Sequence, residues 1–461
     1  MSLRRQDIGG ATDMTKGNAG KLILKFSLPL VFGNLFQQLY SITDAAVLGR
    51  YVGVDALASV GCVSWVCWLI NAFLRDWANA FSISASVCMG KGEEEEFRLI
   101  AANAVTICMV VGIPAAAALL WMMPWILGLL SVQPNVIHMT RQYLMVYSLT
   151  IPIGMAHSIG AGLLRAYGNS RVTFVSMTVS NMVNIVLDLI FVLVFGWGVL
   201  GAAAATWIAQ FMAMAVALAS AVRVPAFHIK KEELRLDSRF MGELLRLWSP
   251  MIFNSMVIAA GGLFVEKHTN QMGSWFTAGL AACGKIFGLL EAVIMAIQTG
   301  VSVYVGQNLG AEQFKRIRDG LAESVKLGLG VTIAMVLAVL ALRHGIIPLF
   351  LSPEDPTAYQ QAFRTADMDT CIVLASMVIM TPMYLYRVTI QTLGFPKYAA
   401  AAGVLQLAAR IAAVTAGAAL LGEYAYFLTE TMAWLVSLPV VAIPCVRYLK
   451  RRMEEGEPKK T

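Results

Sequence analysis

Apolar stretches of about twenty residues or more recur from one end of this 461-residue chain to the other. A helix that crosses about 30 Å of hydrocarbon needs a run of that length. Twelve such spans are predicted, at 22–48, 56–87, 98–130, 137–165, 172–195, 199–222, 240–267, 276–306, 321–350, 366–393, 398–421 and 424–448. The chain is 58% hydrophobic and only 14% charged, where a soluble protein carries nearer a quarter charged residues. The expected fold class is an all-α polytopic membrane protein. The first 20 residues are polar and basic and lack the apolar core of a cleavable signal, so the first apolar stretch is expected to remain as a span.

Loop charges set the expected orientation. The N-terminal segment and the loops GKGEEEEFR, RAYGNSR, RVPAFHIKKEELRLDSR, GAEQFKRIR and GFPKY, with the tail, hold most of the Lys and Arg outside the spans. By the positive-inside rule this set is cytoplasmic, together with both termini. That placement also accounts for the net charge of +7 without a nucleic acid. The two halves repeat each other at a separation of roughly 220 to 226 positions. Gly90 in CMGKGEEEEFR answers Gly310 in QNLGAEQFKR, Pro29 answers Pro250, and FGWGVLGAAAAT answers LLGEYAYFLTET. With six spans each, the halves share one orientation, and a binding site is expected near mid-membrane. The predicted layout is a cytoplasmic segment 1–20, a first lobe 21–222, a linker 223–239, a second lobe 240–449 and a tail 450–461.

The first span is polar on one side. Asn34, Gln37, Ser41 and Asp44 follow at i, i+3, i+7 and i+10 and share a helical face. A carboxylate in hydrocarbon costs about 2.5 to 3.5 kcal/mol on insertion scales, so Asp44 belongs in a bundle interior or wet cavity and is a candidate proton carrier. Pro29 removes one backbone hydrogen bond from the same helix and is a candidate hinge. In the fifth span Asn181, Asn184 and Asp188 again share a face; Thr206 and Gln210 lie one turn apart in the sixth. At about 1.5 Å per residue, Asp44, Asp188 and Thr206 all reach the outer half of the membrane and are able to meet. Two carboxyls, an amide oxygen and a hydroxyl suit a shared proton or a hard monovalent cation such as Na⁺.

Other intramembrane charges are functional candidates by default, or else interhelical ion pairs. They are Arg75 and Asp76 in the second span, Lys285 and Glu291 in the eighth and Arg410 in the eleventh, at roughly the repeat position of Asn184. Gln37, Tyr40, Asn181 and Glu266 complete the candidate cavity residues, with Gln298 and Asn254 weaker; His157 reads as a satisfied core histidine. The GEEEE run reads as the start of a helix, where acids are favourable. The seven cysteines read as free core residues. No nucleophile–base set, nucleotide loop or metal cluster is evident, which argues against an enzyme.

The segment LPLVFGNLFQQLYSITD, then NIVLDLIF, GVLGAAAAT, the QNLGA box and the doubled six-helix plan resemble the multidrug and toxic compound extrusion (MATE) transporters over residues 15 to 450. The resemblance is strongest to the DinF-like branch. It implies two six-helix bundles with a coupling site at Asp44, Asn184, Asp188 and Thr206, and Pro29 at the bend of the first helix. It also implies a secondary antiporter that exports amphiphilic, cationic organic compounds in exchange for H⁺ or Na⁺ by alternating access. Such a protein needs no cofactor beyond the coupling ion, and it is expected as a monomer in a bacterial plasma membrane. The alternative is a flippase or exporter of a lipid-linked or acidic metabolite, favoured if Arg75, Lys285 and Arg410 line the cavity. The acids of the sodium-coupled branch are missing from PMIFNSMVIAAGG and CIVLASMVIMTPMYLYRVTIQ, so a second-lobe sodium site of that type is not expected.

Overall fold

The computed structural model describes residues 12–130, 132–234, 237–351 and 356–456. The expected segments 1–20 and 450–461 therefore lie partly outside the described residues. Among the described residues twelve long helices follow one another: α1 Ala19–Val47, α2 Ser64–Lys91, α3 Glu94–Leu129, α4 Ile137–Ala166, α5 Ser170–Val194 and α6 Gly198–Ala221. Then come α7 Ser238–Asn270, α8 Ser274–Gly310, α9 Phe314–Phe350, α10 Pro356–Thr392, α11 Pro396–Leu421 and α12 Thr429–Gly456. There are no strands among the described residues. Eleven of the twelve are long and apolar enough to cross a membrane. The exception is α2, 28 residues long, which carries Asn71, Arg75, Asp76 and Lys91.

The expected second span, 56–87, is broken. A short helix Val54–Gly61 stops at its glycine, and α2 restarts at Ser64. Glycine has the lowest helix propensity apart from proline, so the break falls where the backbone has least reason to continue. α3 begins at Glu94 with three acids in its first turn, as a solvated helix start should. Beside that start the Cys88 thiol and the Glu93 and Glu96 carboxylates gather within 4.8 Å. The Lys91 ammonium already stands 3.5 and 4.0 Å from the two acids, so their charge is balanced locally. α1 runs through Pro29 without interruption.

The chain divides into two compact units. Unit 1 contains Lys25–Trp248; unit 2 contains Gly17–Leu24 and the chain from Ser249 onward. The first turns of α1 thus belong with unit 2, where the Gly20 amide donates to Glu323 Oε2 at 2.6 Å. The start of α7 belongs with unit 1, where Trp248 stacks on Trp77 at 4.6 Å between ring centroids. The loop before α7 is tied to unit 1 as well. Arg98 Nε meets Glu233 Oε1 at 2.8 Å, and the Asp237 amide donates to Asn103 Oδ1. A hydrogen bond from the Lys230 amide, with the Arg98 guanidinium, holds the Glu233 carboxyl below its ordinary range.

Within unit 1 the core is built from Phe81, Phe97, Ile107 and Met155, all essentially inaccessible. Within unit 2 Tyr304 plays the same part. It lies against Gly320, where an added Cβ would stand 2.3 Å from the ring, and its hydroxyl donates to Arg316 O. Small residues let the backbones of membrane helices approach in this way.

Candidate functional site

The polar faces of α1, α5 and α6 meet inside unit 1. On α5, Asn184 and Asp188 are each only 2% exposed, and Asp188 is the last α-helical residue before a π-helical segment, Leu189–Val194. Another π-helical segment, Leu48–Val52, follows directly on the end of α1, shortly after Asp44. π-turns are frequent where a helix is shaped for function. The Asp44 and Asp188 carboxyls lie within hydrogen-bonding reach of each other. Thr206 Oγ1 is the hub on the opposite side. It donates to Ala202 O at 3.0 Å, accepts from Asn184 Nδ2 at 3.5 Å, and stands 3.4 Å from the Tyr40 hydroxyl.

Four buried oxygens in this cluster have no donor from the protein: Asp44 Oδ1, both Asp188 oxygens and Asn184 Oδ1. Two ionised carboxylates have nothing to donate to each other. A proton or a cation is what would join them. Asn181 Nδ2, one turn earlier on α5, is also without a partner. Leaving a buried polar atom unpaired costs about 1 to 3 kcal/mol, more when it is charged, so these oxygens are expensive to hold in this state. Hard oxygen donors of this kind suit H⁺ or an alkali cation rather than a transition metal.

The remaining candidates are distributed as follows. Tyr40 is a member of the cluster, whereas Gln37 is exposed on α1. Arg75 lies over the Trp68 ring at 5.8 Å in its own helix, and Asp76 is buried. His157 is bonded to Ser176 Oγ at 3.2 Å, in keeping with a core histidine.

In unit 2, Lys285 is exposed. Glu291 accepts a 2.6 Å hydrogen bond from the Tyr384 hydroxyl, and the Arg387 guanidinium covers the Tyr384 ring at 4.5 Å. Gln298 Oε1 has no partner. Arg410 is buried and forms a two-pronged pair with Glu430 of α12, Nε to Oε1 at 3.0 Å and Nη2 to Oε2 at 2.8 Å. That pairing weakens the case for Arg410 as an attractor of acidic cargo.

Sequence reasoning missed Glu430. It stands in the first turn of α12, a position where an acid needs no further explanation. It also missed Asp369. It lies inside the expected span 366–393, two positions before Cys371, where the segment read for acids begins, and it is buried beside the Cys283 thiol. The expectation that the tenth helix lacks an acid therefore holds only for the part from Cys371 onward.

The MatE family profile matches residues 29–190 and 250–414. The "probable multidrug resistance protein YoeA" of Bacillus subtilis (strain 168) is 25% identical over 338 residues, covering 72% of this chain and 73% of that protein. The "multidrug export protein MepA" of Staphylococcus aureus (strain N315) is 22% identical over 399 residues, 84% of each. Among solved structures, the "outward-facing conformation of a multidrug resistance MATE family transporter of the MOP superfamily" superposes with a TM-score of 0.87 at 18% identity, covering 96% of this chain and 98% of that one. This last likeness is one of fold.

Proposed function

The chain belongs to the MatE family of membrane transporters, and from that premise we propose that it is a secondary antiporter exporting amphiphilic, cationic organic compounds in exchange for H⁺ or Na⁺. The reading rests on one observation above all. Four oxygens from α1 and α5, without a protein donor, converge inside a bundle of membrane-length helices beside Tyr40 and Thr206. The names of the relatives, multidrug resistance and export proteins, support the cargo class.

The chemistry follows from charge. With both carboxyls ionised, Asp44 and Asp188 repel each other, and the site binds one positive charge strongly. A membrane potential of 100 mV supplies about 2.3 kcal/mol per charge moved, roughly fifty-fold accumulation. Binding neutralises the end of α1 and removes the repulsion that pushes α1 from α5. Pro29, fifteen positions earlier in the same helix, has no amide hydrogen to resist bending there. α1 is thus the element that converts ion occupancy into a change of unit 1, and alternating access follows from it. Coupling through unit 1 is what the DinF-like branch would imply. A multi-pass protein of this kind, with both termini cytoplasmic, belongs in a bacterial plasma membrane.

Ethidium efflux from proteoliposomes tests the reading, with ΔpH and ΔNa⁺ imposed separately on the wild type and Asp44→Asn. Efflux that follows one gradient and disappears in the variant supports it and identifies the ion. Folded protein that moves no cationic dye under either gradient overturns the cargo class. Ion-driven efflux unchanged by Asp44→Asn overturns the coupling site.

A further inference from the structure

The repeat can be aligned residue by residue where helices cross. Pro29 and Pro250 are 221 positions apart, and so are Gly33 and Asn254. Met177 and Gly403 are 226 apart. In unit 1, Gly33 of α1 packs against Met177 of α5, its Cβ position 3.1 Å from the Met177 sulfur. In unit 2, Gly403 of α11 packs against Asn254 of α7, its Cβ position 2.3 Å from Asn254 Oδ1. The large and small partners have changed sides, but the same two positions touch. The α1–α5 crossing is therefore reproduced by α7–α11 at these offsets.

The same offsets carry Tyr40 to Gly261 and Asn184 to Arg410. Gly198 and Gly422, both at positive φ, are 224 apart, and that offset carries Thr206 to Glu430, in the helix that follows. A π-helical segment begins soon after Asn184 in one unit, at Leu189, and soon after Arg410 in the other, at Ala413. In unit 1 the three positions meet at Thr206 Oγ1. In unit 2 they meet as well. A Cβ on Gly261 would stand 3.2 Å from Arg410 Nη1, and Arg410 grips Glu430 with Nε and Nη2.

We propose that unit 2 holds the repeat counterpart of the Tyr40–Asn184–Thr206 cluster, with Val265 and Val414 where unit 1 has Asp44 and Asp188, and that this counterpart is a cation-binding pocket kept loaded by the protein's own Arg410 guanidinium. Its ligand class is a compact, planar monovalent cation. Gly261 supplies the room that the Tyr40 ring takes in unit 1. Glu430 supplies the charge, and its side chain is 36% exposed, so the carboxylate remains reachable from outside the helix packing. Arg410 Nη1 has no protein partner, which fits a group held by charge in a pocket not tailored to all five of its donors. The functional consequence is that a cation exchanges in unit 1 alone, because a tethered cation does not leave. This last step rests on the coupling role of Asp44 and Asp188.

The test is chemical rescue in the full-length protein, read as melting temperature in detergent. Arg410→Met empties the pocket and leaves Glu430 unpaired, so it melts several degrees below the wild type. Guanidinium, at concentrations well below those that denature, restores the loss saturably; urea and sodium at equal concentration do not. Arg410→Met with Glu430→Gln, which has no charge to balance, melts above the single variant and is indifferent to guanidinium. Arg410→Lys, which keeps a tethered charge, folds without any addition.

A single variant that gains nothing from guanidinium beyond the sodium control overturns the proposal. So does one that fails to fold with guanidinium present, or a Lys variant that fails to fold. Failure of the coupling reading shows elsewhere, as ion-driven efflux unchanged in Asp44→Asn, and leaves this titration untouched.

Discussion

Unit 1 and unit 2 present the same three helices at the same register and treat charge in opposite ways. In unit 1, Asp44, Asp188 and Asn184 keep four buried oxygens without a donor. In unit 2, Val265 and Val414 stand at the positions of the two acids, and beside them a guanidinium and a carboxylate are joined by two hydrogen bonds of 3.0 and 2.8 Å. An unsatisfied site is costly and responds to whatever ion arrives; a satisfied one is stable and indifferent. A duplicated scaffold has room for both, because the stable copy offsets the strain of the responsive one.

The largest effect expected is on unit 1. Asp188→Asn removes half of the carboxyl pair, and ion-driven dye efflux should fall to the leak of empty vesicles while the protein still folds. A neutral amide needs no cation, so its melting temperature should stop responding to the coupling ion.

Next comes Arg410→Met in unit 2. Breaking a buried ion pair costs about 3 to 5 kcal/mol when one charge is left in the interior. Glu430 is 36% exposed, so about 2 kcal/mol is expected here, measured by denaturation in mixed micelles. If this variant loses ion coupling but not stability, the contrast between the units is wrong.

The helix crossings give a smaller, paired comparison. Gly403→Ala places a methyl 2.3 Å from Asn254 Oδ1 and should cost about 1 to 3 kcal/mol by overpacking. Gly33→Ala meets only the Met177 thioether at 3.1 Å, a flexible group that is able to give way, and should cost under about 1 kcal/mol. Equal losses would mean that the two crossings are less alike than their register indicates.

The smallest effect is at the loop before α7. The Lys230 amide and Arg98 hold the Glu233 carboxyl below its ordinary range. A carboxyl depressed in the folded state contributes stability above its unfolded pKa and loses it as pH falls through the folded value. Glu233→Gln should therefore match the wild type at low pH and fall slightly below it at neutral pH, with the difference fading below about pH 4.3.

Much of this was legible in the amino-acid order because hydrocarbon leaves few options. Runs of apolar residues located the helices, and the spacing of Asn181, Asn184 and Asp188 placed the polar face of α5. Asp44 stood out for its cost alone. What escaped notice depends on helix ends and on partners distant in sequence. Asp369 stands just ahead of Cys371, where the segment read for acids begins, and its neighbour Cys283 belongs to another helix. Glu430 lies 20 residues from Arg410, across a loop. A periodicity argument has no means to join them. Gln37 shared the polar face of α1 in register, yet it is exposed and apart from the bonds that organise Tyr40 and Thr206.

Gly261 has a consequence for how such a chain changes over generations. A tyrosine there, matching Tyr40, would overlap Arg410, whose Nη1 stands 3.2 Å from the first side-chain carbon. An asparagine at 410, matching Asn184, would leave Glu430 uncompensated and a void beside the glycine. Either single reversal is worse than both together. The asymmetry between the halves is therefore a ratchet, easy to deepen by small steps and hard to undo by any one of them.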